Sequence, residues 1–360
     1  MRLLFALPGF HRYDRGAEVA LLAVADACAR AGDAVTVMGM GQPRPGTAYT
    51  FRHVPAIGRV RFERLPTMPA LRDDTAYEEL SFAPGLLARF RPADYDATVT
   101  CAYPFTNWAL RRPRWGRRRP AHVFVTQNGD WPATSGASEY RWFGCDGLVC
   151  TNPDFYAHTR DRWHAALIPN GVDLARFTPG VGERARFGLP ADAPVVLMVS
   201  ALIESKRVLD GIRAVARVPG AHLVVAGDGA LREAAAALAA ELLPERFQRL
   251  TAAPADMPAL YRSADALLHM SLLEPFGNVF IEAMACGRPI VGHDTPRLRW
   301  IVGDAEALTD TTDLDAVAAA LAHALRPDPA AQAARIARAD RFGWQRVAAE
   351  YRTFIAELIG

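Results

Sequence analysis

Residues 266–292 read ALLHMSLLEPFGNVFIEAMACGRPIVG. The stretch divides into an apolar run of strand length, a loop, a short helix-forming segment and a second apolar run. That alternation belongs to a parallel α/β sheet rather than to hairpins. Asn278 is the candidate N-cap, residues 279–286 form the helix, and Gly287 stands where a left-handed C-terminal residue is wanted. Glu274 lies just before the turn and Glu282 one turn into the helix. The first amides of such a helix have no intrahelical partner and attract anions. A single carboxylate there merely complements the helix dipole. Two of them around Gly277 point to a ligand that carries both an anionic part and hydroxyl groups; the alternative is an ordinary strand–helix–strand crossover with surface acids.

The chain has 360 residues, enough for two domains, and 51% hydrophobic with 22% charged residues suits a globular protein with sizeable cores. A net charge of +2 gives no electrostatic basis for a nucleic-acid partner. The 5 cysteines, Cys28, Cys101, Cys145, Cys150 and Cys286, are odd in number and contain no C-x-x-C pair. They read as small apolar residues of a reducing compartment. The opening MRLLFALPGF reads as a first strand, not a leader, and no apolar run reaches membrane-spanning length. The expected location is cytoplasmic.

Outward from residues 266–292, the N-terminal half shows strands at 3–7, 34–38, 97–101, 122–127 and 147–151. A helix over 17–31 turns Val19, Leu22 and Val24 inward. Residues 42–74 are irregular, with extended pieces around Phe51 and Phe62. Between two of the strands lies LRRPRWGRRRP with Arg111, Arg112, Arg114, Arg117, Arg118, Arg119 and Trp115. It reads either as a solvated loop or as a patch for anionic lipid or a pyrophosphate-linked acceptor. In the second half, a strand at 195–199 leads through SALIESKR to a helix from Val208. HLVVAGDGALRE has Gly227 and Gly229 after a strand, but Arg232 takes the third glycine position, so a dinucleotide loop fails. Asp313 and Asp315 open a helix rather than close a strand, which makes capping the expected role. The last helix, after Gly343, places Val347, Tyr351, Phe354, Ile355 and Leu358 on one side.

Glu274-PFGNVFI-Glu282, continuing into AMACGRPIV, resembles the E-x7-E signature of retaining family-4 (group 1) glycosyltransferases. IPNGVD with Phe177 matches the family's entry into its second domain. The resemblance implies a GT-B fold: two Rossmann-like doubly wound domains facing a central cleft, with a C-terminal helix crossing back to the first domain. The implied domains are residues 1–177 on the acceptor side, 178–342 on the donor side, and the helix at 343–360. It further implies transfer of a hexose, with retention, from a nucleotide diphosphate sugar to a hydroxyl of a glycan or lipid-linked acceptor, as in polysaccharide biosynthesis. No cofactor and no essential metal are expected.

Residue by residue, the resemblance gives Glu274 to the hexose beside its anomeric carbon and Glu282 to the ribose hydroxyls. It turns the backbone of Phe276, Gly277, Asn278 and Val279 toward the donor. Lys206 takes the diphosphate, with Arg207 sharing it, while Ser200-Ala201-Leu202 departs from the family's Gly-Arg-Leu and lacks its arginine. Gly227 lies near the nucleotide. Arg15-Gly16-Ala17-Glu18 stands where relatives have Gly-Gly-x-Glu, so Gly16 carries over and Arg15 is a phosphate candidate or a solvated arginine. Gln127 stands near a family histidine beside the transferred sugar and keeps a donor and an acceptor for its hydroxyls; Asn128 and Asp130 accompany it. The rival readings are a non-transferase of the same fold, such as a nucleotide-sugar epimerase, and a two-domain sugar-binding protein.

Overall fold

A computed structural model describes residues 1–111 and 119–360. The chain divides into two units, Met1–Asn170 with Trp344–Gly360, and Gly171–Gly343. The division falls at 170/171 rather than 177/178. Val172 donates to Phe342 O at 2.7 Å, and Phe177 packs on Tyr261, so the 171–177 stretch is held by the second unit's own residues.

In the first unit, β1 (Arg2–Ala6), β2 (Ala34–Gly39), β3 (Thr50–His53), β4 (Ala97–Thr100), β5 (Ala121–Val125), β6 (Gly147–Cys150) and β7 (Ala165–Leu167) form one sheet. The order is β3-β2-β1-β4-β5-β6-β7 with every pairing parallel. Alternating residues of β1 go to opposite faces, as a strand covered on both sides requires. Leu3 and Phe5 pack with Leu21, Val24 and Tyr351, whereas Leu4 and Ala6 pack with Phe82 and Leu86. The helix Gly16–Arg30 buries Ala20, Leu21, Val24, Ala25 and Cys28. Val24 is buried as expected and Leu22 is half-buried against the same core, but Val19 is exposed, and Leu21 joins Val24 in the inward stripe. Phe51 lies in β3, but Phe62 closes a 3-10 turn, Arg59–Phe62, instead of an extended piece. The chain returns from the second unit as the helix Trp344–Ile359, which buries Val347, Ala348, Tyr351, Phe354 and Ile355 in the first unit's core.

The second unit holds β8 (Val195–Val199), β9 (His222–Ala226), β10 (Phe247–Leu250), β11 (Ala266–His269), β12 (Ile290–His293) and β13 (Ala307–Thr309). The order is β10-β9-β8-β11-β12-β13, again parallel throughout. Val195 and Leu197 face Phe280 and Met284; Val196 and Met198 face Ile212 and Val215. Strand order reverses between β8 and β11, so the loops leaving these two strands open a crevice at the sheet's carboxyl edge. Asp313 and Asp328 cap the helices Leu314–Ala324 and Pro329–Ala339, each accepting two backbone N–H groups. Among the described residues no helix is long and apolar enough to cross a membrane.

Candidate functional site

The loops after β8 and β11 carry the residues that the sequence singles out. Lys206 ends the 3-10 turn Glu204–Lys206, and its Nζ lies 2.6 Å from Glu274 Oε2. The same carboxylate oxygen is 3.3 Å from His269 Nε2. Burial pushes Glu274 up, but the hydrogen bonds and charges of His269 and Lys206 outweigh it and bring the group down to about 2. Glu274 is therefore an anion at any neutral pH. Its backbone carbonyl accepts from Arg297 Nη1 at 2.9 Å, which fixes the loop from the far side.

The turn itself requires glycine. Gly277 has φ 76°, and a Cβ there would meet the Phe280 ring at 2.5 Å and Glu274 Cγ at 2.9 Å. Gly277 is the N-cap of the helix Asn278–Ala285, so Asn278 is its first residue and not its cap. A left-handed cap suits glycine, and Asn278 then adds an amide to the helix start. The ring of Phe276 is buried, edge-on to Trp300 and Phe342, so this residue offers the crevice backbone only. Val279 is packed against the same core. Glu282 accepts from Tyr261 Oη at 2.7 Å. Burial raises it to about 7, against the opposing hydrogen bond from Tyr261 and the charge of Arg176.

Two hydroxyls at this edge, Ser200 Oγ after β8 and Ser271 Oγ after β11, are buried with no hydrogen-bond partner among the described residues. Buried hydroxyls left unpaired are costly, and a ligand oxygen or ordered water is the usual remedy. A cavity of about 20 Å³ lined by His269, Ser271, Glu274, His293, Thr295 and Arg297 lies behind Glu274. It has room for a water and not for a sugar. Gly227, with φ 158°, sits where a Cβ would be 1.9 Å from Ser200 O, so the β9 loop closes directly onto the β8 loop. Arg207 is left-handed at φ 50° and spends its guanidinium on Asp210, Met270 O and Thr311 Oγ1. It ties the β8 loop to the chain after β11 and after β13, while Lys206 beside it faces Glu274.

In the first unit, Gly16 opens the helix after β1 with nothing within 4 Å of where a Cβ would be. Arg15 is exposed, its guanidinium 4.3 Å from the Tyr13 ring centroid. After β5, Gln127 Nε2 donates to Asn170 Oδ1 at 2.6 Å and Asn170 Nδ2 returns the bond at 3.2 Å. The amide at Gln127 thus holds the last residue of this unit's first segment. Asn128 is exposed, and Asp130 Oδ2 meets His158 Nδ1 at 2.9 Å. Of the arginine cluster, Arg111 donates to Trp142 O and Arg119 pairs with both oxygens of Asp146. Arg112, Arg114, Trp115, Arg117 and Arg118 lie outside the described residues.

Sequence reasoning passed over His269, Tyr261 and Arg297. His269 carried a signal: a histidine ending an otherwise apolar strand immediately before the functional loop. Tyr261 and Arg297 reach the site only through tertiary packing, and no local pattern marks them.

Two parallel, doubly wound units, the second with a paired-carboxylate turn and a lysine at its switch point, define a GT-B glycosyltransferase architecture. The group described as "Glycosyl transferases group 1" matches residues 182–341, and "Glycosyltransferase Family 4" matches residues 15–176. The chain belongs to this family of family-4, group 1 glycosyltransferases. It is 30% identical over 219 residues to the lipopolysaccharide core biosynthesis glycosyltransferase LpsE of Rhizobium meliloti, covering 59% of this chain and 63% of that one. It is 34% identical over 199 residues to the D-inositol 3-phosphate glycosyltransferase of Mycolicibacterium smegmatis, covering 52% and 46%. The aligned part thus spans less than two thirds of either relative. Sucrose-phosphate synthase from Thermosynechococcus elongatus superposes with a TM-score of 0.76 at 22% identity, over 99% of this chain and 98% of that one. Anabaena Alr3699/HepE, solved with UDP and glucose, gives 0.73 at 18% identity, over 99% and 100%.

Proposed function

We propose that this protein transfers a hexose, with retention of configuration, from a nucleotide diphosphate sugar to a hydroxyl of a glycan or lipid-linked acceptor. The observation that carries the reading is the Lys206–Glu274 pair at 2.6 Å, placed on the two loops that flank the second unit's switch point. A lysine held there by a permanent anion is positioned for a second anion, and the amides at the start of the helix Asn278–Ala285 are aimed at the same edge. Family membership supports the donor class, and the solved Anabaena protein holds UDP and glucose.

In this reading the diphosphate draws Lys206 away from Glu274, which His269 keeps in place and ionised. Glu274 then orients the hexose beside its anomeric carbon, and Glu282 binds the ribose hydroxyls. The anomeric carbon–phosphate oxygen bond breaks as the acceptor oxygen bonds to that carbon on the same face. The acceptor proton passes to the departing phosphate oxygen, so no protein base is required. Lys206 and the helix amides stabilise the charge left on the diphosphate. Glu274 and Glu282 sit on one turn and both serve the donor, unlike the opposed acid and nucleophile of a glycosidase. The reading calls on no metal. Gly16, Arg15, Gln127, Asn128 and Asp130 are the first unit's substrate-binding residues in this reading, and the protein's location is cytoplasmic.

The test is nuclear magnetic resonance of the sugar released when an α-linked donor is turned over, with water as the acceptor. First appearance of the α-anomer supports retention. First appearance of the β-anomer contradicts the mechanism.

A further inference from the structure

The amino edge of the second sheet holds a cavity that the transfer reaction does not use. Asp265 stands just before β11 and Arg288 shortly before β12. The loop between the helices Leu314–Ala324 and Pro329–Ala339 adds Arg326 and Asp328 to the wall, and the second of those helices adds Gln332 and Arg335. The cavity measures about 270 Å³. Pro289, Pro327 and Pro329 restrict the backbone of its wall, which limits what a ligand would have to order. The donor crevice lies at the opposite, carboxyl edge of the same sheet.

The acids around this cavity are spent, and two of its bases are not. Asp265 Oδ2 takes Arg184 Nη2 at 2.6 Å and Val195 N at 2.7 Å. Asp328 Oδ1 accepts the N–H groups of Ala330 and Ala331 at 3.0 and 2.9 Å. Glu306 is taken up by Arg335 Nε at 2.5 Å and by Ile290 N at 2.8 Å. Arg288, by contrast, is half-buried with no carboxylate in ion-pair distance among the described residues. Its Nε donates to Cys286 O and its Nη1 to Ala264 O, both at 3.1 Å. Those bonds fix the guanidinium and leave Nη2 without a partner among the described residues. Arg326, exposed on the facing loop, has no carboxylate partner among them either. Burial pushes the Arg288 guanidinium down, and the charges of Arg335 and Arg184 act in the same direction against that of Asp265. Cations taken out of water are normally paired, so this one lacks a counterion.

Gln332 adds a neutral donor and acceptor. A Cβ at Gly287 would meet its Nε2 at 2.8 Å, so the amide lies over that glycine, and its side chain makes no hydrogen bond among the described residues. Planar guanidinium groups with spare N–H donors match phosphate oxygens, and a lone amide beside them suits a hydroxyl. The volume falls just under the roughly 300–1,000 Å³ of sites for drug-sized ligands. It therefore suits a small phosphorylated molecule and not a whole nucleotide sugar. The first amides of the helix Pro329–Ala339 are already taken by Asp328, so the arginines, not a helix end, would hold the anion.

We propose that this cavity binds a small phosphate monoester, with its phosphoryl group on Arg288 and Arg326 and a hydroxyl of its body on Gln332. The site is a second one in this unit, and it stands whether or not the donor assignment of Lys206 and Glu274 does.

The experiment is isothermal titration calorimetry of the full chain with glucose 6-phosphate, inorganic phosphate and glucose. Lys206→Ala is titrated beside the wild type, because a phosphate settling in the donor crevice would need that lysine. Glucose 6-phosphate is expected to bind both proteins alike, inorganic phosphate more weakly, and glucose not at all. Arg288→Gln is expected to lose about tenfold or more in affinity, the worth of one charge-assisted hydrogen bond. Arg288 also supports two backbone carbonyls, so R326Q/Q332A, which changes one exposed and one half-buried side chain, is the second variant and is expected to lose as much. Circular dichroism melting confirms that each variant is folded. No binding of either phosphate to the wild type in the millimolar range overturns the proposal. So does binding that is lost in Lys206→Ala and kept in R326Q/Q332A, which gives the phosphate to the donor crevice. Equal affinity for inorganic phosphate and glucose 6-phosphate overturns the monoester and makes free phosphate the ligand.

Discussion

Replacing Glu282 by glutamine is expected to make the protein more stable at pH 8 while abolishing its affinity for the donor nucleotide. The carboxyl of Glu282 is partly buried and hydrogen-bonded by Tyr261 at 2.7 Å, and burial raises it from 4.5 to about 7. Below about pH 4.5 both folded and unfolded states carry the proton, and its contribution to stability is complete. As pH rises to about 7 the unfolded chain ionises while the folded one stays protonated, so stability is lost across that window. Above it the folded protein bears the full cost of a buried anion. At about 1.36 kcal/mol per unit, the rise from 4.5 to about 7 amounts to about 3 kcal/mol. Glutamine keeps an acceptor for Tyr261 Oη and never ionises. For a unit of this size about 3 kcal/mol corresponds to a Tm difference of roughly 6–12 °C. The assay is thermal unfolding of both proteins at pH 5 and pH 8. The Glu282→Gln protein should match wild type within a few degrees at pH 5 and exceed it at pH 8. A variant that melts below wild type at pH 8, or by the same margin at both pH values, refutes the reasoning about the buried carboxyl.

Three further outcomes follow from particular contacts. Glu274 is held at about 2, so its ionic contacts stabilise above pH 4.5 and are lost as pH falls toward 2; Glu274→Gln should flatten that acid limb in a pH-denaturation curve. Gly227→Ala sets a Cβ at 1.9 Å from Ser200 O in a left-handed backbone, and chemical denaturation should show a loss of about 1–3 kcal/mol or more. Arg335 and Glu306 form an ion pair with side chains 7% and 3% exposed, and Glu306 Oε2 also accepts Ile290 N at 2.8 Å. Arg335→Met strands that carboxylate and should cost about 3–5 kcal/mol, whereas replacing both partners by apolar residues should cost much less, as a double-mutant cycle will show.

Much of the fold was legible because parallel strands covered on both faces are continuous apolar runs. Val195–Val199 is delimited to the residue, and β1, β2, β4, β5 and β6 to within one or two, whereas the short, half-buried β7, β10 and β13 are not marked by the sequence. The helix after β1 and its inward Val24 are legible, but Val19 is not distinguished from the buried Leu21, since alanine-rich helices carry apolar residues all round and the inward stripe is settled by what packs on it. The paired carboxylates were legible as a motif; their electrostatics were not. That Glu274 is held ionised depends on His269 together with Lys206 from a distant loop, and that Glu282 is pushed up depends on its burial, which outweighs the opposing hydrogen bond from Tyr261. Gln127 illustrates the same limit. Its position at the end of β5 is local information, whereas its pairing with Asn170 is set by the chain 43 residues later.

The measurement that bears most directly on the donor site is isothermal titration calorimetry with UDP, GDP, ADP and dTDP and their sugars, on wild type and on Lys206→Ala. One nucleotide should bind the wild type, and the variant, still folded, should lose most of that affinity because the diphosphate has lost its cation. Binding that is unchanged in Lys206→Ala, or no binding of any nucleotide to the wild type, contradicts the assignment of the Lys206–Glu274 crevice to a nucleotide-sugar donor.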